Sequence, residues 1–152
     1  VFAITLSENT VFFPKGLVSF GIPDNWGMTS IISGIIEGLC GIKDRYKLFE
    51  KVEISPKWES IKEKEAEVFI KYEASDAYIA YKYKREKEKI IIDFEGSGSE
   101  FYFHVYLSND KKCKKVLYNG ASIKFKNVNV ENSNYVDFKI KNINGGKVEI
   151  LF

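Results

Sequence analysis

At 152 residues the chain has the length of one domain, and its 45% hydrophobic content, with 12 Phe and 9 Tyr, supplies a core and excludes a disordered chain. Its 23 Lys+Arg face 21 Asp+Glu, and a net charge of +2 is not the one-sided basic excess of a nucleic-acid binder. Cys40 and Cys113 are too few and too far apart for a disulfide framework or a zinc site. They read as free thiols of a reducing compartment, which favours the cytoplasm. No signal peptide is visible, although the first residue is Val1 rather than Met.

In chain order, residues 2–6 and 11–13 read either as short strands or as extended loop. A Gly-rich, nearly uncharged stretch follows up to Lys43. Within it, residues 29–40 have helical spacing, with Met28, Ile31, Ile32, Ile35, Ile36 and Leu39 apolar. Thr29 or Ser30 is the expected N-terminal cap, and Gly41 stands where a C-terminal glycine belongs. The opposite side carries Ser30, Gly34, Gly38 and the lone Glu37, so the helix has no polar face and calls for burial. Its apolar run is shorter than the ~20 residues of a membrane span. A small β-domain cannot surround such a helix, which implies other helices as its natural surroundings.

From Arg45 onward one strand follows another. Val52 and Ile54 lead to Pro56; then come Val68, Ile70 and Tyr72, next Ala77, Ile79, Tyr81 and Tyr83, and next Ile90, Ile92 and Phe94. Phe101, Phe103, Val105 and Leu107 alternate with Tyr102, His104 and Tyr106. Val116 and Tyr118 precede Asn119-Gly120, a hairpin turn signal. Ile123 and Phe125, then Val128 and Val130, change face at Lys126-Asn127, which suggests a bulge or bend. Val136, Phe138 and Ile140 follow, and Gly145-Gly146 is read as the turn into Val148, Ile150 and Phe152. The run Lys111-Lys112-Cys113-Lys114-Lys115 reads as a solvated edge strand rather than a polyanion site. The expectation is a mainly β fold: a jelly-roll-like antiparallel β-sandwich preceded by one apolar helix.

This order resembles the C-terminal region of six-hairpin (α/α)6 glycosidases, notably the bacterial α-L-rhamnosidases. Gly38-Leu39-Cys40-Gly41-Ile42-Lys43-Asp44 is similar to the family's exit from its last barrel helix. Phe49, Val52, Ile54 and Pro56 resemble the first sandwich strand, and Val116-Leu117-Tyr118-Asn119-Gly120 resembles a late hairpin of these sandwiches. The chain departs from the family at Leu48, where Gly is frequent, and at Trp26, where His is frequent. The resemblance implies that residues 1–43 end a helical barrel and that residues 44–152 form its C-terminal sandwich. It implies a glycoside-processing parent, with a missing N-terminal catalytic domain and carbohydrate as partners, and names no particular sugar.

Glycoside hydrolysis generally needs two carboxylates flanking the scissile bond. Here most Asp and Glu lie on alternating strand positions, the solvated side, so no catalytic residue is expected in this chain and turnover by it alone is expected to be absent. Asp24 and Asn25 precede Trp26, whose indole suits the C–H face of a pyranose. These three are sugar-binding candidates within the parent enzyme; Asp24 reads first as a turn or helix-entry residue, and Trp26 equally as a core or interdomain anchor. Tyr102, His104 and Tyr106 are a second candidate, an outer aromatic face that either stacks sugars or meets the helical domain. Trp58 reads as core. One histidine without partners makes no metal site, and no cofactor, nucleic-acid or membrane partner is expected. The rival to a supporting domain is an autonomous carbohydrate-binding module, which has no use for the apolar helix. A third reading is a small β-domain unconnected with sugars. Cut from its barrel, the helix is expected to pair with that of a second chain as a homodimer.

Overall fold

The computed structural model describes residues 25–152. It opens with helix α1 (Asn25–Ser33), which continues without a break into wider π-helical turns over Gly34–Leu39. The Cys40 amide closes the last of these on the Ile35 carbonyl, 2.8 Å away and five residues back. Asn25, the first described residue, is already helical four residues before the predicted start, so Thr29 and Ser30 lie inside the helix rather than capping it. The widened last turns coincide with Gly34 and Gly38, whose backbones leave α geometry at low cost. The residues predicted as strand or loop at 2–6 and 11–13 lie outside the described residues.

Gly41 adopts φ +70°, and a Cβ there would lie 1.8 Å from the Ser55 carbonyl oxygen. The close approach is held by two backbone bonds, Ser55 N–H to Gly41 C=O at 2.7 Å and Lys57 N–H to Leu39 C=O at 3.0 Å. The helix exit is thus clamped to the sandwich.

Eleven strands follow: β1 (Ile42–Tyr46), β2 (Lys51–Ile54), β3 (Glu65–Lys71), β4 (Tyr78–Arg85), β5 (Lys89–Gly96), β6 (Glu100–Ser108), β7 (Lys115–Tyr118), β8 (Ala121–Ser122), β9 (Lys126–Val130), β10 (Ser133–Lys141) and β11 (Gly145–Leu151). They form two sheets, ordered β1-β2-β6-β10-β9 and β3-β4-β5-β11-β7-β8. The mainly β sandwich expected from the alternating pattern is therefore present. Every pairing is antiparallel except β2 with β6, which run parallel from Lys51 beside Glu100 to Ile54 beside Phe103. A parallel pair needs a long crossover, and here three strands of the opposite sheet supply it instead of a helix.

The core lies between the sheets. Phe101, Phe103, Val105 and Leu107 of β6 face Ile90, Ile92 and Phe94 of β5, all buried. Trp58 is buried as expected, and its indole N–H donates to the Tyr81 hydroxyl at 2.9 Å. That hydroxyl donates in turn to the Cys40 carbonyl at 2.7 Å, a second link between sandwich and helix end. Cys40 and Cys113 are free and buried, and burial pushes both thiols up to about 11, which keeps them protonated and inert at neutral pH.

Three local expectations change. The shift of face near Lys126-Asn127 is neither bulge nor bend within one strand: the chain passes from the six-stranded sheet at β8 to the five-stranded sheet at β9 through residues 123–125. Gly145-Gly146 is not the turn but the start of β11; a Cβ on Gly146 would lie 2.4 Å from the Tyr118 ring, whose hydroxyl donates to the Gly145 carbonyl at 2.8 Å. The lysine run leads into β7, whose first residue is Lys115; β7 is not an edge because β8 flanks it, and β8 is only two residues long, which leaves Lys114 and Lys115 exposed. The Asn119-Gly120 hairpin is formed as read, with φ 48° and 84°, the left-handed pair that this turn needs.

Candidate functional site

The outer face of the five-stranded sheet gathers one of the two residue sets expected to bind. Alternation along β6 sends Phe101, Phe103 and Val105 inward and Tyr102, His104 and Tyr106 outward. The β10 register sets Tyr135 beside Tyr106, Asp137 beside His104 and Lys139 beside Tyr102. On the other side, β2 brings Glu53 beside Tyr102, and β1 brings Lys43 beside Glu53. An open depression of about 590 Å³ lies over this row, lined by Lys43, Arg45, Glu53, Tyr102, His104, Asp137 and Lys139 among others.

The polar groups of the depression are partnered. Glu53, 7% exposed, meets the Arg45 guanidinium and lies 3.9 Å from the Lys43 ammonium. His104 Nδ1 is 2.6 Å from Asp137 Oδ1. The imidazole stacks on Tyr135 with centroids 4.2 Å apart and planes 9° from parallel. The Lys57 ammonium sits 4.5 Å from the centroid of the same tyrosine and donates to Ser55 Oγ at 3.2 Å, while Ser55 Oγ–H donates to the His104 carbonyl at 2.7 Å. Burial lowers the pKa of Lys57, an effect opposed by Glu53 and reinforced by Lys43. Since Lys57 also carries the backbone bond to Leu39, the helix exit and the aromatic face adjoin.

Lys139 lies 4.1 Å from the Tyr102 centroid and 2.6 Å from Glu100, which also accepts from the Tyr102 hydroxyl at 2.8 Å. These bonds, Lys139 first and Tyr102 second, pull the Glu100 carboxyl down to about 2. A depressed carboxyl stabilises the fold above its unfolded pKa and loses that contribution as pH falls toward 2. Lys139→Ala should bring Glu100 back toward the ordinary value near 4.5, read from its carboxyl carbon shift in an NMR titration. A Glu100 midpoint unmoved by the substitution would refute the assignment of the shift to Lys139.

The carboxylates of this face are each paired: Glu53 with Arg45 and Lys43, Asp137 with His104, and Glu100 with Lys139. Among the described residues no cluster of His, Cys, Asp or Glu could hold a metal ion, and no helix is long and apolar enough to cross a membrane. Of the first sugar-binding set, Asp24 lies outside the described residues, while Asn25 and Trp26 are the first two residues of α1. Tyr135, Asp137, Lys57 and Glu53 were not singled out from sequence. Tyr135 and Asp137 do occupy outward positions of a legible strand, but only the β6–β10 register reveals that they meet His104.

Fold and face together define a β-sandwich domain with a polar, aromatic outer sheet and an apolar helix at its entry. No family model matches the chain, and no curated protein matches it. Among solved structures it is similar to the α-L-rhamnosidase of Dictyoglumus thermophilum, with a TM-score of 0.57 and 11% identity over 82% of this chain and 14% of that one. It is also similar to the uncharacterized protein lmo2446 of Listeria monocytogenes EGD-e, solved with glucose, magnesium and calcium, at a TM-score of 0.49 and 13% identity over 66% of this chain and 10% of that one. At such identities the likeness to the rhamnosidase is one of fold. The chain spans about a seventh of that protein's length.

Proposed function

We propose that this chain is a non-catalytic β-sandwich domain of a glycoside-processing enzyme, which packs against and supports a helical catalytic domain. One observation carries the reading. The helix is fixed to the sandwich at Leu39, Cys40 and Gly41, yet Ile31 is 61% and Ile35 38% exposed. Among the described residues, nothing lies within 4 Å of a Cβ built on Gly34 or Gly38. A rigidly anchored apolar helix with one open, small-residue side is suited to a neighbouring helix. The fold likeness to a rhamnosidase about six times as long is consistent with it. In this reading residues 1–43 complete the helical domain, residues 44–152 are the accessory sandwich, and the chain passes from one to the other within β1. Asp24, Asn25 and Trp26 then stand at the sugar-binding side of the parent enzyme.

The test is to express the chain from the start of its own reading frame and assay a panel of aryl glycosides. The longer protein should turn over at least one substrate, and residues 1–152 none. A frame that opens within a few residues of Val1, or turnover by residues 1–152 that is abolished by Asp24→Asn, would overturn the proposal.

Without that domain the helix is expected to pair with its counterpart in a second chain. Ile31→Lys with Ile35→Lys should weaken this association by about tenfold or more, since two half-buried isoleucines are worth ~1.5 kcal/mol or more at an interface. The sandwich should stay folded, because both side chains are exposed. Ile36 packs against the core, so Ile36→Lys would test folding instead. Sedimentation velocity reads the outcome; equal masses for wild type and double variant would rule out the helix as the contact.

A second reading, a carbohydrate-binding face on the five-stranded sheet, is favoured by the parallel His104 and Tyr135 rings. Tyr135→Ala should then abolish retention on an immobilised polysaccharide that holds the wild type. A panel that retains neither protein excludes this reading.

A further inference from the structure

Of the four sheet edges among the described residues, three are blunted. Strand β8 has two residues, β1 shifts register between Asp44 and Tyr46, and β9 has only five residues. Strand β3 is different. It runs seven residues, Glu-Ala-Glu-Val-Phe-Ile-Lys, paired in continuous register with β4 and without bulge or proline. Proteins commonly protect such an edge with one of those devices, since its outward N–H and C=O groups form a template for another strand.

The direction of those groups follows from the existing bonds. Arg85 N–H reaches the Lys64 carbonyl, and Tyr72 N–H reaches the Ala77 carbonyl, so the even-numbered residues bond β4. The backbone groups of Glu65, Glu67, Phe69 and Lys71 therefore point away from the sheet. Their side chains lie on the solvent face, where Phe69 is 57% exposed, while Ala66, Val68 and Ile70 lie on the core face.

We propose that a second copy of this chain pairs antiparallel with β3, its own β3 running about a two-fold axis at Val68. The pairing holds whether or not the chain belongs to a glycoside-processing enzyme. With that axis, Glu65 opposes the partner's Lys71, and Glu67 opposes the partner's Phe69. All four of these positions carry outward backbone groups, so each opposing pair exchanges two hydrogen bonds. On the core face Val68 meets the partner's Val68, and Ala66 meets the partner's Ile70, which continues the apolar layer across the axis. The register is specified by the sequence. A slip of one residue sets outward groups against groups already bonded to β4. A slip of two in one direction sets Glu67 on the partner's Glu67, a like-charge pair directly opposed. A slip of two in the other direction sets Glu67 opposite the partner's Lys71 but shortens the overlap from seven residues to five and leaves Glu65 with only Lys84 of its own sheet. The contact is isologous and closes on itself as a dimer.

The experiment is sedimentation velocity across a concentration series up to millimolar, on the full chain carrying Ile31→Lys and Ile35→Lys so that the helix does not contribute. Dimers are expected. Lys71→Glu sets a carboxylate against the partner's Glu65 and should weaken the dimer tenfold or more. The swap Glu65→Lys with Lys71→Glu should restore it. Phe69→Pro removes an outward N–H that β4 does not use, and should abolish association while the circular dichroism stays that of the parent chain. Amide exchange at Glu67 and Phe69 should slow as concentration rises. A chain that remains monomeric, a dimer indifferent to Lys71→Glu and Phe69→Pro, or a charge swap that fails to restore the dimer would each overturn the proposal.

Discussion

Gly41→Ala is expected to lower stability by about 3 kcal/mol or more and to detach the helix from the sandwich. The left-handed conformation, φ +70°, alone costs a residue with a Cβ ~1–2 kcal/mol. The greater cost is steric: the new carbon would fall 1.8 Å from the Ser55 carbonyl oxygen and 2.7 Å from the Pro56 nitrogen, both backbone atoms that cannot rotate aside. Relief requires the strand end to retreat, which breaks the bond from Ser55 N–H to Gly41 C=O and strains that from Lys57 N–H to Leu39 C=O. Each bond is worth about 1 kcal/mol net. Urea unfolding reads the total, and amide exchange at Ser55 and Lys57 reads the detachment. Wild-type stability with both amides still protected would show that the clamp is not where the two parts are joined.

Phe94→Ala is expected to cost about 3–5 kcal/mol, a large share of the ~5–15 kcal/mol that holds a domain of this size. The Phe94 ring is 2% exposed and bridges the sheets. Its centroid lies 4.9 Å from Phe101, 5.1 Å from Phe103 and 6.5 Å from Tyr118, with the first two edge to face. These neighbours sit on two different sheets, so neither side can collapse onto the vacancy without moving the other. The midpoint of urea unfolding should fall while its slope holds. A loss below about 1.5 kcal/mol would mean that the core relaxes and that the ring cluster is not its centre.

The strands were legible because each has one wet side. Val68 and Ile70, or Phe101 through Leu107, alternate so regularly that strand identity and inner face follow from sequence, and Asn119-Gly120 marks its own hairpin. What sequence could not supply was partnership. The parallel pairing of β2 with β6 depends on a long crossover that no local signal encodes. The passage between sheets at residues 123–125 has the same pattern as a bulge, because both move the apolar face by one residue. Gly145 and Gly146 look like a turn, yet Gly146 is small to admit the Tyr118 ring and Gly145 to admit the backbone of Phe94 and Glu95. The outer face of Tyr102, His104 and Tyr106 was visible as a stripe, whereas its electrostatic partners come from β1, β2 and β10 and needed the register. Leu48, where the resembling family favours Gly, has φ 55°, a conformation that glycine adopts freely and that leucine enters here under strain.

The crossover between β2 and β6 also orders events in time. Lys51 and Glu100 are neighbours in the sheet, 49 positions apart along the chain by their numbers. Closing so long a loop carries a large entropic cost before any contact rewards it, and contacts of this span are characteristic of slow folding. Strands β3, β4 and β5 form a local meander that needs no such wait. During synthesis the apolar helix and the β1–β2 hairpin emerge well before β6, the strand that seats β2 in its sheet. Throughout that interval the clamp at Gly41 has only an unseated β2 to hold. The helix is therefore made well before it is anchored, and it is then that a chaperone or a neighbouring helical segment has most to cover.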